Sequence, residues 1–223
     1  MTRVTADNLD SIHPQNSEAR LEMLTTINRA VAGAEQVVKP PYPQAQAFSL
    51  EEREEQFRDR ILDYKANYAR VSRSDVPKAV AEALGDARRV LVPQGLDMAY
   101  LPQGLDVLRD QPPLSNDELN HAQAVVTGCA VAVSETGTIA LNHGPDQGRR
   151  ALTLIPDIHV CLVRESQIVH TVREAVIELG DAIRRGQPVT WLSGGSATSD
   201  IELVRVEGVH GPRHLFVIVV AGE

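Results

Sequence analysis

The residues best suited to chemistry lie in four short stretches. The first is Ser193-Gly194-Gly195-Ser196-Ala197-Thr198-Ser199-Asp200-Ile201, directly after the apolar run Val189–Leu192. Gly194 and Gly195 let a backbone turn sharply and approach a ligand with no Cβ in the way. Ser196, Thr198 and Ser199 add hydroxyls, with Asp200 beside them. A helix turn starting here would aim free N–H groups at a carboxylate or phosphate, although an ordinary capped strand-to-helix turn would use the same residues. No Gly-Lys-Ser/Thr follows and no G-x-G-x-x-G is present, so this is neither a P-loop nor a dinucleotide fingerprint. The second stretch is Ser134-Glu135-Thr136-Gly137-Thr138, between two predicted strands. Strand ends are where open α/β sheets bind ligands. Glu135 is therefore a candidate nucleophile or general base, with Thr136, Gly137 and Thr138 lining the same turn. The competing reading is a turn whose Glu pairs with a backbone group or an arginine.

The third stretch is Gly208-Val209-His210-Gly211-Pro212-Arg213-His214, where Gly211-Pro212 marks a turn between strands. Arg213 can clamp a carboxylate with two hydrogen bonds, and His210 can titrate near neutrality or be held as a structural residue beneath the turn. His210 and His214 face each other across a turn rather than along a helix, so their spacing is not the helical zinc signature. The fourth stretch, Asn142-His143-Gly144-Pro145-Asp146-Gln147-Gly148-Arg149-Arg150, ends in paired arginines that face either an anion or solvent.

The elements that must position these stretches change character near residue 71. Before it the pattern is helical and charged. Ser17 opens a predicted helix with Leu21, Leu24, Ile27 and Val31 on one face, and a Pro-rich break follows at 39–43. Ser49 and Glu52 read as a capping box for a helix carrying Phe57, Ile61, Tyr64 and Tyr68. After residue 71 short apolar runs alternate with helical segments. Predicted strands are 90–92, one within 124–133, then 138–141, 159–163, 189–192, 201–206 and 215–220. Predicted helices run from Val76 to Leu84, from the capping box Ser115/Glu118, and from the box Thr171/Glu174, the last burying Val172, Ala175, Val176, Leu179 and Ile183. Such alternation predicts an α/β fold, a mostly parallel sheet flanked by helices. The echo PQGLD at 93–97 and 102–106 is too isolated for a solenoid and predicts two turns over the sheet edge.

Composition narrows the function classes. With 43% apolar residues over 223 positions the chain can build a real core. A net charge of −8 and 4% aromatics argue against a nucleic-acid footprint or a base-stacking surface, and the charge argues against docking on anionic membranes. The longest apolar runs fall far short of the ~20 residues of a spanning helix, and the first residues carry no apolar signal core. A cytoplasmic protein is expected. The two cysteines, Cys129 and Cys161, lie in apolar runs and are expected to be small buried hydrophobes. Two thiols cannot make a disulfide scaffold, a zinc finger or a cysteine-ligated iron–sulfur cluster within this chain.

The stretches 134–138, 193–202 and 208–212 occur in an order that resembles the lactate utilisation protein C family and its LUD domain. The resemblance covers residues 71–223. The family pattern has Pro at the place of Gly195 and often Arg at that of Ala197, so this chain departs from it at both. The change of character near residue 71 predicts an N-terminal helical extension over 1–70, compatible with that family, and an LUD-type α/β core over 71–223. The resemblance implies that this core is similar to the glucosamine-6-phosphate deaminase, ribose-5-phosphate isomerase and CoA-transferase group. It also implies a non-redox subunit of a three-protein system that oxidises L-lactate to pyruvate, with iron–sulfur and cysteine-rich partners carrying the redox sites. The ligand would be a small carboxylate or phosphate bound by Thr136, Gly137, Thr138, Gly194, Gly195, Ser196, Thr198, Asp200, His210 and Arg213, with no metal. The alternative is a stand-alone enzyme on a phosphorylated sugar or CoA ester that uses Glu135 as base or nucleophile.

Overall fold

The computed structural model describes residues 17–32, 48–198, 206–207 and 211–223. The chain forms two compact units, Met1–Gln44 and Ala45–Glu223. The first contains α1 (Ser17–Val31), whose apolar residues recur at helical spacing.

The second unit opens with α2 (Leu50–Asp63), started by the expected capping box: Glu52 N–H donates to Ser49 Oγ at 3.2 Å and Ser49 N–H to Glu52 Oε2 at 2.7 Å. The helix does not reach Tyr68. It unwinds at Tyr64, Lys65 takes a left-handed φ of 59°, and the chain turns into β1 (Asn67–Ser72). Tyr68 therefore reaches back from a strand, where its hydroxyl donates to Glu54 on α2. Then come α3 (Val76–Leu84), β2 (Arg89–Leu91), β3 (Asp106–Leu108), α4 (Asn116–Asn120), β4 (Ala124–Thr127), β5 (Val131–Val133) and β6 (Thr138–Leu141). The run 124–133, read as holding one strand, holds two, and Gly128–Ala130 carry the chain from one sheet to another. After a 3₁₀ turn at Arg150–Thr153 the chain continues through β7 (Ile158–Arg164), β8 (Ile168–Val169), α5 (Val172–Glu178), α6 (Gly180–Arg184), β9 (Thr190–Leu192), β10 (Ala197–Thr198), β11 (Val206–Glu207) and β12 (His214–Ala221).

Six strands form one sheet in the order β1-β12-β7-β4-β2-β3, and every pairing is parallel. Parallel strands are covered on both faces, which is why β7 and β12 read as nearly continuous apolar runs. Alternation along them sorts the core. Val160, Leu162, Ile218 and Val220 pack with Val76, Val80 and Leu84 of α3. Cys161, Val163, Val217 and Val219 pack with Phe57 and Ile61 of α2 and with Ala132, Ile139 and Leu141. The latter residues belong to a second, four-stranded sheet, β8-β5-β6-β9. Its other face is covered by Ala175 and Leu179. Only this i,i+4 stripe meets the short sheet, so Val172, Val176 and Ile183, expected on the buried face, point to solvent. No helix among the described residues is long and apolar enough to cross a membrane.

Candidate functional site

From β2 the chain winds to β3 on one side and returns to β4 on the other. The winding reverses between β2 and β4, and open parallel sheets bind ligands outside the carboxyl ends of strands at such a point. A cleft of about 1110 Å³ lies there, lined by Pro93–Gly95 after β2, Arg109–Gln111 after β3, and residues of the 143–150 loop. This loop is built tightly. The buried Gln147 side chain accepts from the N–H groups of Asn142 (2.8 Å) and His143 (3.1 Å). Gly128 N–H donates to the Asp146 carbonyl at 2.9 Å and Gly95 N–H to that of Pro145 at 2.8 Å. Gly95 is needed for the approach, since a Cβ there would stand 2.6 Å from Pro145 Cβ and 2.7 Å from its carbonyl carbon.

Of the cleft's cations, Arg149 is committed: it grips Asp110 with two hydrogen bonds of 2.6 and 3.0 Å. Burial alone would push the Asp110 carboxyl up, but the Arg149 guanidinium and the Leu114 N–H outweigh it and hold the group below its usual value. Arg109 donates to the carbonyls of Val92 and Pro93. Arg150 is exposed and makes no ion pair with a described residue.

Arg150 also lines a second hollow of about 320 Å³, near the lower end of the ~300–1,000 Å³ usual for small-molecule sites. Its other walls include His159, Thr190–Ser196 and Gly211–Pro212. Strand register explains the convergence. β9 runs antiparallel to β6, with Leu141 opposite Thr190 and Ile139 opposite Leu192. At one end of this pair Thr138 Oγ1 lies 2.9 Å from Ser193 Oγ. At the other, His143 Nε2 lies 2.9 Å from Thr190 Oγ1. His143 holds a left-handed φ of 57°, uncommon for a non-glycine residue, and its Nδ1 is 3.0 Å from the Gly148 carbonyl. At the hollow's floor the buried His159 meets Thr127 Oγ1 at 2.8 Å, and burial pulls its pKa down to about 4.

The residues singled out from the sequence are distributed as follows. Ser193, Gly194, Gly195 and Ser196 line the hollow. A Cβ on Gly195 would stand 2.5 Å from the Arg213 carbonyl oxygen, and Ser196 N–H donates to the Pro212 carbonyl at 2.8 Å, so the second glycine lets two distant stretches close together. Gly137 (φ 65°) and Gly194 (φ 94°) both take positive φ. Thr136 Oγ1 donates to Thr138 Oγ1, which links their turn to Ser193. Glu135 is exposed and lines neither hollow; its carbonyl accepts from Arg60 Nε at 3.2 Å and its N–H donates to the His170 carbonyl at 3.1 Å. Arg213 pairs with Asp157 at 3.1 Å. Thr198 lies in β10, its backbone paired with Val206. Asp200 and His210 lie outside the described residues. Sequence reasoning missed Thr190 and His159 as lining residues. Both sit in apolar strand runs, and only the dense His, Gly and Arg content of 142–150 hinted at the neighbouring wall.

Among the described residues no group of three or more His, Cys, Asp or Glu side chains is placed to hold a metal ion. Cys129 and Cys161 are both buried, and hydrogen bonding of the Cys129 thiol to Cys161, together with burial, pushes that thiol up.

A mostly parallel sheet flanked by helices, with a cleft at its reversal point, defines the class: an open, doubly wound α/β protein. The LUD domain family model matches residues 108–220. A Deinococcus radiodurans protein called Lactate utilization protein C is 64% identical over 207 residues, covering 93% of this chain and 98% of its own length. The Lactate utilization protein C of Oceanobacillus iheyensis is 22% identical over 82% of this chain and 86% of its own length. A crystal structure of a DUF162 family protein from Deinococcus radiodurans superposes with a TM-score of 0.71 at 58% identity, over 78% of this chain and 100% of that one. The chain belongs to the LUD domain family.

Proposed function

We propose that this protein takes part in lactate utilisation as a component that binds a small carboxylate, with Arg150 as the anchoring cation. The observation that carries the geometric part is Arg150 itself, an exposed guanidinium with no ion pair to a described residue, on the wall shared by cleft and hollow. An arginine presents a planar fork that matches a carboxylate. The hydroxyls of Thr190 and Ser193 stand around the same space. The name of the Deinococcus relative, which matches nearly the whole chain, supports lactate as the pathway. Oxidation of lactate needs an electron acceptor. The chain's own cysteines are two and buried, which supports placing that acceptor on iron–sulfur and cysteine-rich partner proteins. Deleting the gene in a host with no other lactate route should abolish growth on L-lactate. The wild-type gene should restore it, and Arg150→Ala, a change at an exposed side chain, should restore it poorly at unchanged protein level. Undiminished growth of the deletion strain would overturn the role; full rescue by Arg150→Ala would overturn the anchor.

A further inference from the structure

We infer that His143 and Thr190 form a hydrogen-bond relay of fixed direction that makes the hollow select a 2-hydroxy acid over its oxo and deoxy analogues. The inference rests on the carboxylate reading above and adds the identity of the second recognised group. The Gly148 carbonyl can only accept a hydrogen bond. Its 3.0 Å partner, His143 Nδ1, must therefore carry the proton. In the neutral ring the other nitrogen, Nε2, is then an acceptor, and its 2.9 Å partner is the Thr190 hydroxyl, which must donate to it. A hydroxyl has one hydrogen. With that hydrogen committed to His143, Thr190 Oγ1 offers only lone pairs to the hollow it lines. It can accept from a ligand hydroxyl but has nothing to donate to a ketone.

The arrangement is over-determined, as a specificity device should be. His143 is held in its left-handed conformation by Gln147, which accepts from its N–H, and the loop is fixed through Gly128 and Gly95. Thr190 is fixed by its pairing opposite Leu141. A ligand carboxylate at Arg150 and a ligand hydroxyl at Thr190 would both be met by residues of one hollow.

Titration calorimetry of L-lactate, pyruvate and propionate into the full chain tests this. L-lactate should bind more tightly than the other two by roughly 2- to 10-fold, the span of one net hydrogen bond. Thr190→Val, which keeps the shape and removes the oxygen, should bring all three to the affinity of propionate. Thr190→Ser should keep the preference. Equal wild-type affinities for the three acids, still weakened by Arg150→Ala, would overturn the relay and leave the carboxylate reading intact. A lactate preference that survives in Thr190→Val would do the same. No binding of any acid would overturn both. An independent readout is the ¹⁵N spectrum of the imidazoles: His143 should be the Nδ1–H tautomer when neutral, and an Nε2–H tautomer would reverse the relay and refute the inference.

Discussion

His159 carries the clearest consequence for stability among the buried residues. It is enclosed, bonded only to a neutral Thr127 hydroxyl, and its pKa falls to about 4 from the usual 6.5 because burial disfavours the cation. The unfolded chain therefore takes up this proton first as pH falls. The contribution is fully present above about 6.5 and is lost towards pH 4, on the order of 3 kcal/mol across the window. Urea unfolding followed between pH 7 and 4.5 should show falling stability, and His159→Gln should flatten that slope. Carboxylates such as Glu165, held low by Arg70 and the Gly222 N–H, lose their contribution only at more acid pH. At this scale the glycine and serine content of 193–196 was legible because backbone turns demand particular residue types. Thr190 was not, since its role depends on which residue of β6 faces it.

At the scale of elements, local chemistry was plain wherever it is local. The boxes Ser49/Glu52, Ser115/Glu118 and Thr171/Glu174 all form, because each needs only a four-residue span. Tyr68 kept helical spacing from Tyr64 yet lies in β1, because a left-handed Lys65 ends the pattern between them. Likewise the apolar periodicity of 172–183 overstates burial, since Ala175 and Leu179 pack on the short sheet while Val172, Val176 and Ile183 stay exposed. The 143–150 loop is an element in its own right, seated on Gly95. Gly95→Ala would drive a methyl group into the Pro145 backbone and side chain. A cost of about 1–3 kcal/mol is expected, read as a lower urea midpoint at unchanged m-value. Because the loop also carries His143 and Arg150, the same variant should weaken carboxylate binding.

For the whole molecule, the first strand of the sheet pairs with the last: Asn67–Ser72 run in register with Phe216–Ala221. The parallel class of the sheet was readable from alternating strands and helices, but the order β1-β12-β7-β4-β2-β3 was not, because no local pattern records which strands become neighbours. The site suffers the same loss. Its walls come from stretches after β2, after β3, after β6, around β9 and before β12, and only the assembled fold puts Arg150 on the boundary of both cavities. Carboxylate binding is predicted to turn on that placement. Its most direct test is calorimetric titration of L-lactate into the purified wild-type chain and into Arg150→Ala, with thermal melts to show that both are folded. Saturable binding to the wild type that weakens at least tenfold in the folded variant is the predicted result; wild-type affinity retained in Arg150→Ala would contradict it.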